Sequence, residues 1–583
     1  MSRLKLPEFI HAVIDDPPKR GILISGCLAL FAVGLTPRLL SPGLPTVQAA
    51  IRVEPEVGTL YLLIALLSSA VIIIGGLVSD IFRRRSLFIG ALAVMALGSL
   101  VSLLVSDGWI FYAANIAAIS ATGVALAYGI GAVALAYEGI ARATALGFVY
   151  AAFGVGTAIS PLVLTLFPSL RPSDDPTALS TVDFDTWLAY SLTAIASGIA
   201  LWAALRWMPP IPGTLPAARW LIVGIAVWSM GILAIVTGVL SLGGPAGSPV
   251  PVAMIVGGAL ALGTMRWRFG RTKEQFGNLG LDRRAIGAAL AVGVAVGFAQ
   301  AVPLMLLPMV FEYPLGFGTF FAILAIVPFV IAMVVAGPIS GILIRRFGPR
   351  GMMSSGTLAV GVANLALAAI LVWIASVVRD GFAADPDRTD AGLGEWHYVL
   401  FILPLILVGA GFVLSTTVRT AIVFASTPRG LPSSAAAINE ASVGLGSRIG
   451  IVAATTAMTL AALGSAREML AGRPVEEAKA LVDEFEVALL ALGTPRHEEV
   501  FAASFENAEP IKRAAYSVAY IEGVVVALLI GGLVGIVGAV LAWFLTGRRD
   551  PLKTVFDMQD ERAAGTTSAL LPEPDEVAPP ASG

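Results

Sequence analysis

The chain contains few of the residues from which enzymes usually build a reaction centre. It has one cysteine, Cys27, in 583 residues, so an intrachain disulfide cannot form. Its three histidines are scattered, and no cluster of His, Cys, Asp or Glu has metal-ligand spacing. The HExxH, GxSxG and GxxxxGK(S/T) motifs are missing, as is a basic stripe with interleaved aromatic residues. These absences argue against an enzyme, an ATPase, a metal or other cofactor, and a nucleic-acid partner.

Charge is also scarce, and long apolar runs are abundant. Charged residues make up 13% of the chain and hydrophobic residues 57%, with a mean hydropathy of +0.87. These values are typical of a polytopic membrane protein, in which each span needs roughly 20 apolar residues. The sequence predicts an all-α fold of about fourteen transmembrane helices, at residues 21–40, 57–79, 87–106, 109–134, 144–167, 187–205, 220–241, 250–265, 285–311, 317–344, 352–378, 398–423, 433–463 and 515–546.

The loops alternate in charge. Arginine and lysine follow the even-numbered spans, whereas aspartates such as Asp174 and Asp385 occupy opposite loops. Because basic loops stay in the cytoplasm, the pattern predicts a multi-pass protein of the cell membrane with both termini cytoplasmic. The first apolar run is needed for this alternation and lacks a small-residue cleavage site, so we interpret it as a retained helix. The outer loop 464–514 contains an amphipathic helix, predicted either to lie on the membrane surface or to cap the bundle.

A short basic turn between two apolar runs occurs twice. The first copy is LVSDIFRRR at residues 77–85, which follows Gly76, and a related copy ends the segment 337–350. Glycines that allow close helix packing, followed by a cationic loop, are typical of a helical hairpin held at the cytoplasmic face. Two copies indicate a duplicated bundle, which in membranes is usual for a transporter.

These motifs resemble the major facilitator superfamily, and within it the fourteen-span drug:proton antiporter family, of which the chain looks like a divergent member. The fifth span is similar to the antiporter signature of that family, and residues 303–350 and 428–450 are similar to two further family segments. The chain departs from the family at Thr36 and Arg38, where an Asp and a Thr are usual. It also has only Asn115 as a strongly polar residue in the stretch 111–123, where a membrane arginine is usual.

The resemblance implies two pseudo-symmetric six-helix halves with two inserted helices between them. A cytoplasmic segment precedes the first half, a cytoplasmic loop follows the inserted helices, and a disordered cytoplasmic tail follows the second half, which contains the outer amphipathic loop 464–514. The predicted boundaries of these five parts are 1–19, 20–206, 207–284, 285–548 and 549–583.

The candidate functional residues fall into three sets. The resemblance implies that a gating motif latches the two halves together at the cytoplasmic side, although its arginines also serve as topology determinants. An antiporter-like helix motif allows close packing and a bend. Polar residues at membrane depth are candidates for substrate binding or coupling, since burying them in lipid is costly. The three sets are Gly76, Asp80, Arg84, Arg85, Gly341, Arg346, Gly348 and Arg350; Gly147, Gly156 and Pro161; and Arg38, Asn115, Gln300, Asn364, Glu440 and Arg448.

Within the third set, Arg448 lies deepest in its span, and Glu440 two turns earlier is predicted to share its face. Glu440 is the best candidate for a proton-titrating coupling group. Arg38 and Arg448 give the membrane-depth candidates a positive balance, which favours anionic or zwitterionic amphipaths as substrates.

The sequence thus predicts a monomeric secondary transporter that exports an amphipathic small molecule by alternating access, with protons as a candidate coupling ion. Two alternatives stay open. One is a lipid or glycolipid translocator of the same fold, which the amphipathic loop helix and the missing family residues would suit. The other is a non-transporting relative that acts as a scaffold or sensor.

Overall fold

The structure is a computed structural model, and it describes most of the predicted spans. The described residues are 16–36, 68–81, 84–105, 108–137, 139–166, 184–209, 227, 231, 234–235, 250–269, 283–317, 321, 324–384, 394–426, 432–471, 473–490 and 510–546.

Within these ranges the fold is built from α-helices, so the all-α prediction is confirmed. A short 3-10 turn, Glu395–Tyr398, precedes the tenth helix. The α-helices are α1 (Pro17–Leu35), α2 (Ser68–Ile81), α3 (Arg84–Leu104), α4 (Gly108–Ala136), α5 (Gly139–Leu166), α6 (Phe184–Trp207), α7 (Val250–Phe269), α8 (Arg283–Glu312), α9 (Val327–Ala384), α10 (Val399–Ala425), α11 (Pro432–Met469), α12 (Val475–Leu490) and α13 (Pro510–Leu545).

Nine of the helices in the described ranges are long and apolar enough to cross a membrane. One of them, α9, is long enough for two spans of about 20 residues each. Its helical geometry breaks at Gly348, where φ is 73° and ψ is 160°, and Pro349 follows directly. A left-handed φ favours glycine because it has no Cβ. The two arms of α9 correspond to the predicted spans 317–344 and 352–378, while the predicted total of fourteen is not confirmed.

The helices pack into two groups. Helices α1–α6 form the first helix group, in which α1 packs on α4, α5 and α6, and α3 packs on α4 and α6. Helices α8–α11 and α13 form the second helix group, in which α8 and α9 pack on α13, and α10 packs on α9. The groups meet where α5 packs on α9 and α10, and where α2 and α4 pack on α11. Helix α7 lies between the groups in sequence, and its assignment as one of two inserted helices stays a prediction.

One end of the bundle gathers arginines, and we refer to it as the arginine-rich end. Arg85 at the start of α3 donates to the carbonyl of Leu205 near the end of α6, at 2.7 Å. At the bend of α9, the guanidinium carbon of Arg350 lies 4.2 Å from the ring centroid of Trp543 near the end of α13. Arg346 lies on the same bend. These contacts bring the basic loops of both helix groups to one side of the bundle.

Helix α12 covers the opposite end of the second helix group. Its Phe485 and Leu489 are buried in the core of that group, and the Phe485 ring stacks on Tyr516 with centroids 4.4 Å apart. The Tyr516 hydroxyl donates to the carbonyl of Leu481 at 2.6 Å, and Lys512 pairs with Glu484. Of the two placements that the sequence allowed, the structure therefore has the helix capping the bundle.

A proline inside α8 is compensated by a side chain from α9. Pro303 has no N–H and cannot donate to the carbonyl of Ala299, one turn earlier. The buried Asn364 donates its Nδ2 to that carbonyl at 3.0 Å and to the carbonyl of Val360 at 2.8 Å. Because lipid offers no hydrogen bonds, a backbone carbonyl freed by proline needs such a partner. The geometry explains why an asparagine lies at membrane depth in α9.

We therefore expect Asn364→Leu to destabilise the protein less in a Pro303→Ala background than in the natural sequence. Alanine at position 303 supplies the N–H donor that the carbonyl of Ala299 lacks, so the hydrogen bond from the Asn364 amide becomes redundant. The coupling free energy in a double-mutant cycle is expected to be about 1 kcal/mol. Unfolding titrations in mixed micelles would measure it, and strictly additive effects would contradict the assignment.

Candidate functional site

A polar cluster lies buried where α5, α10 and α11 meet, in the half of the bundle nearer the arginine-rich end. Tyr150 comes from the middle of α5, and Arg419 lies in the last two turns of α10. Glu440 lies in the third turn of α11, which starts at Pro432. Arg419 is 0% exposed, and the side chain of Glu440 is 13% exposed. An ion pair withdrawn from water to this degree is stable only with good geometry and further hydrogen bonds.

Glu440 is held mainly by neutral donors. Its Oε1 accepts a hydrogen bond from the Tyr150 hydroxyl at 2.6 Å and from Asn439 Nδ2 at 2.9 Å. Thr420 joins the two donors, because its Oγ1 lies 2.9 Å from the Tyr150 hydroxyl and 2.9 Å from Asn439 Nδ2. Arg419 NH2 is 3.9 Å from Glu440 Oε1, which is within ion-pair range but beyond a hydrogen bond.

Arg419 spends only part of its hydrogen-bonding capacity. Its NH1 donates to Ser442 Oγ at 3.0 Å and to the carbonyl of Asn439 at 3.4 Å. Among the described residues its Nε and NH2 have no hydrogen-bond partner. The guanidinium fits beside α8 because Gly293 has no side chain, and a Cβ there would overlap both NH1 and Ser442 Oγ. The cluster is therefore a network in which a buried cation has donors to spare.

The cluster spans the boundary between the helix groups. Tyr150 belongs to the first group, while Arg419, Thr420, Asn439 and Glu440 belong to the second. The Tyr150 hydroxyl donates to Glu440 and lies 2.9 Å from Thr420 Oγ1, so two polar contacts tie one group to the other. Any motion that parts the groups at this end must break both of them.

Glycines bring the backbones of the two groups into contact around this cluster. A Cβ on Gly147 of α5 would overlap the carbonyl of Gly337 in α9, and a Cβ on Gly76 of α2 would overlap Ala437 of α11. Gly131 of α4 packs directly on Ser433 at the start of α11. The arginine-rich end is thus closed in this structure by helix contacts that only glycine permits.

The residues of the predicted gating motif lie at or near these contacts where the structure describes them. Gly76 packs between the groups, Arg85 closes the end of α6, and Gly348 forms the bend of α9. Gly341 is buried in α9, ahead of the bend that carries Arg346 and Arg350. The side chains of Asp80 and Arg84 lie outside the described residues. The predicted latch role of the motif stays a prediction.

The antiporter-like helix motif falls on two packing surfaces. Gly147 contacts α9 of the other group, whereas Gly156 contacts Phe31 and Gly34 of α1 within its own group. The side chain of Pro161 is outside the described part of the chain. Of the two described glycines of this motif, Gly147 lies at the boundary where the groups would separate.

The remaining substrate and coupling candidates are dispersed rather than gathered at one point. Asn115 donates to Ser102 at 3.1 Å and accepts from Tyr190 at 2.9 Å, both inside the first helix group. Gln300 of α8 donates to Ser447 of α11 at 3.4 Å. Asn364 supports Ala299, as described above. Arg38 falls outside the described residues.

The guanidinium in ion-pair range of Glu440 belongs to Arg419, a residue that the sequence analysis did not single out. That Glu440 shares a face of its helix with Arg448 stays a prediction. Sequence reasoning missed Arg419 because it lies near the end of its apolar span, where basic residues are expected to leave the membrane. A signal was present, since the stretch from Val418 to Ala425 continues apolar beyond the arginine. Arg448, half-buried in α11, makes contacts of its own.

Helices α8 and α11 run parallel and in backbone contact. Gly297 meets the backbone of Val443, Gly446 meets Val294, and Gly450 meets Phe298, each with no room for a Cβ. An all-α bundle of two helix groups with small residues at their contacts agrees with the predicted fold class.

Comparison with known proteins agrees with this architecture. A family model described as Major Facilitator Superfamily matches residues 26–451. The chain belongs to this superfamily. As a member of this superfamily with long apolar helices in its described ranges, it is a multi-pass membrane protein.

Two curated relatives of this major facilitator chain come from Mycobacterium tuberculosis. They are the uncharacterised MFS-type transporters MT1926 of strain CDC 1551 / Oshkosh and Rv1877 of strain ATCC 25618 / H37Rv. Each is 24% identical over 424 residues, which cover 70% of this chain and 55% of the relative. The chain therefore spans about half the length of these relatives.

Solved structures share the major facilitator fold at low sequence identity. The proton:xylose symporter XylE bound to 6-bromo-6-deoxy-D-glucose superposes with a TM-score of 0.51 at 16% identity, over 92% of this chain and 99% of that chain. The transporter FucP in the outward conformation gives 0.50 at 14% identity, over 90% and 98%. The human organic anion transporter MFSD10 gives 0.50 at 12% identity, over 90% and 100%. At these identities the likeness concerns the fold alone.

Proposed function

We propose that this protein is a secondary active exporter that carries an amphipathic small molecule across the cytoplasmic membrane in exchange for protons. The observation that carries the proposal is the buried hydrogen bond between Glu440 and Tyr150. This hydrogen bond connects a carboxyl group that can bind a proton to the opposite helix group, across the boundary that must open in alternating access. Protonation and movement of the helix groups are thereby linked through one side chain.

We propose export from the resemblance to the antiporter family, and the arginines indicate which end faces the cytoplasm. We assign the arginine-rich end to the cytoplasm, because basic loops are retained there. In that orientation the structure is closed towards the cytoplasm. The motifs around Gly76, Gly147 and Gly337 support membership of the fourteen-span drug:proton antiporter family, whose members export their substrates.

We further propose that the substrate is anionic or zwitterionic. Arg448 lies roughly 24 Å along α11 from Pro432, at 1.5 Å per residue, and is half-buried. A cation at this depth would attract a substrate of opposite sign. Export of the cationic dye ethidium in preference to the anionic dye carboxyfluorescein, unchanged by Arg448→Gln, would contradict this assignment.

The rival function of lipid translocation gains no support from α12. A helix that served lipid handling at the membrane surface would turn its apolar face to the bilayer. Here Val482, Phe485 and Leu489 are instead buried in the second helix group. Activity on fluorescent lipid reporters without a proton gradient would nevertheless favour the translocator.

The test of coupling is Glu440→Gln in inverted membrane vesicles, assayed with a panel of anionic, zwitterionic and cationic dyes with and without a pH gradient. We expect gradient-driven uptake to fall about 5–150-fold, the range of a coupling free energy of about 1–3 kcal/mol. Dye exchange without a gradient should persist, because glutamine keeps the size and the acceptor of Glu440.

Glu522→Gln is the matched control. Its carboxylate pairs with Arg379 and accepts from Ser465, all within the second helix group and away from the boundary. Gradient-driven uptake should survive this change. Equal losses in both variants, or undiminished uptake in Glu440→Gln, would show that Glu440 is not the coupling group.

A further inference from the structure

We infer that Glu440 exchanges partners during transport, from Tyr150 when the arginine-rich end is closed to Arg419 when that end is open. This inference rests on the proposed function, and it assigns to Arg419 the role of a positioning residue for the coupling carboxylate. It concerns three side chains whose contacts in the closed state are unequal.

Arg419 has more hydrogen-bond donors than described acceptors around it. A fully buried guanidinium with Nε and NH2 unpartnered among the described residues is costly, since each buried donor without an acceptor loses its hydration. Its nearest described carboxylate is Glu440, with 3.9 Å between NH2 and Oε1. A charge-assisted N–H···O bond is typically about 2.7–2.9 Å long, so the two groups lie roughly 1 Å short of pairing.

Competing hydrogen bonds keep the side chains of Arg419 and Glu440 apart. Oε1 of Glu440 is drawn to the Tyr150 hydroxyl at 2.6 Å, from the opposite helix group. Arg419 is meanwhile anchored through NH1 on Ser442, within its own group. The short contact to Tyr150 therefore competes with the guanidinium for the same carboxylate oxygen.

The three side chains lie on helices of different groups, so opening of the arginine-rich end would separate them unequally. When the groups part at the arginine-rich end, Tyr150 leaves with α5, whereas Arg419 and Glu440 stay together on α10 and α11. The carboxylate then loses its strongest neutral donor and has the free NH2 beside it. A side-chain rotation that moves the carboxylate oxygen about 1 Å towards Arg419 NH2 completes the ion pair without any movement of the backbone.

The ionisable groups that face Glu440 are few. Helix α5 contributes Tyr150 and α10 contributes Arg419. Within the described side chains, α2, α4 and α8 place no other ionisable group in hydrogen-bond or ion-pair contact with this carboxyl. The two partners therefore define its surroundings in the two states.

The exchange gives each partner a distinct effect. A carboxylate is stabilised more by a hydrogen bond from a guanidinium than by one from a neutral phenol, so the charged form of Glu440 favours the open state and the protonated form favours the closed state. Once the end is open, the adjacent guanidinium stabilises the carboxylate and the proton is released to the side that is now accessible. Tyr150 thus holds the closed state, and Arg419 promotes proton release in the open state.

Spin labels at Ser86 of α3 and Phe347 of α9 would report the opening of the arginine-rich end. Both side chains are exposed, and they belong to different helix groups. The labelled cysteines would be introduced in the Cys27→Ala background and measured in nanodiscs in mildly acidic and mildly alkaline buffer. We expect the natural cluster to be largely closed in acidic buffer and to open in alkaline buffer, because loss of the proton allows the ion pair that only the open state completes.

Each variant has its own expected result. Tyr150→Phe should raise the open-to-closed ratio in alkaline buffer by about tenfold or more, the consequence of losing a hydrogen bond to a charged group. Arg419→Gln should stay closed in buffers in which the natural protein has opened, because the open state no longer gains an ion pair with Glu440. Arg419→Lys, which keeps the charge, should restore much of the opening and guards against a folding defect in the glutamine variant.

The outcomes separate this inference from the proposed function. No response of the unmodified cluster to pH would overturn proton coupling itself. A normal response that Glu440→Gln abolishes, while Tyr150→Phe and Arg419→Gln respond like the natural protein, would leave coupling intact and overturn the partner exchange. Glu522→Gln should behave like the natural protein throughout.

Discussion

Replacement of Gly147 by valine is expected to trap the protein with its arginine-rich end open and to abolish transport. A single Cβ at this position would overlap the backbone carbonyl of Gly337, and the branched side chain adds further bulk. Backbones cannot yield as a flexible side chain can, so α5 and α9 must separate. The Ser86–Phe347 label pair should report a longer distance whatever the pH.

Gly90→Val provides the matched control for this prediction. Gly90 lies in α3, where a Cβ would meet no atom within 4 Å. The same substitution there should leave both the label distances and dye transport unchanged. If Gly147→Val closed normally, the contact between α5 and α9 could not be the one that shuts this end of the bundle.

Removal of one charge from the buried pair is expected to cost more stability than removal of both. Arg419→Met leaves Glu440 buried beside no cation, which should lower the free energy of unfolding by about 3 kcal/mol. The double variant Arg419→Met, Glu440→Gln contains neither charge and should unfold within about 1 kcal/mol of the natural protein. Unfolding titrations in mixed micelles would measure the three values.

The pair between Arg379 and Glu522 is the control for burial. These side chains are 51% and 33% exposed, so water screens their attraction. Arg379→Met should cost only about 0–1 kcal/mol. Equal costs at the two pairs would show that the Arg419 site is better hydrated than its burial indicates.

Much of the fold was predictable because the bilayer imposes simple demands on sequence. The predicted spans 398–423 and 433–463 match α10 (Val399–Ala425) and α11 (Pro432–Met469) closely. Apolar length and loop charge suffice for such elements, since lipid excludes other backbone structure. The continuation of α11 to Met469 was not predicted, because its last turns pack on the capping helix α12 and need no lipid-facing run.

The site was only partly predictable. Glu440 was found because a carboxylate at membrane depth is unusual, and that criterion depends on sequence alone. Its neighbour Arg419 was not predicted, since the search along one helix face led to Arg448. Arg419 comes from a different helix, and its place beside Glu440 depends on Gly293 and Ser442 leaving room for the guanidinium. The apolar residues after Arg419 are a signal of its burial, but the sequence pattern does not show which carboxylate it approaches.

The parallel glycine contact between α8 and α11 limits how this protein can diversify. Since neither Gly297 nor Gly446 has room for even a methyl group, we expect the two helices to move together as one rigid unit. Gln300 and Arg448, one on each, then keep a fixed separation throughout the cycle. A variant of this chain selected for a larger or smaller substrate would therefore have to change residues on other helices and keep the contact between α8 and α11.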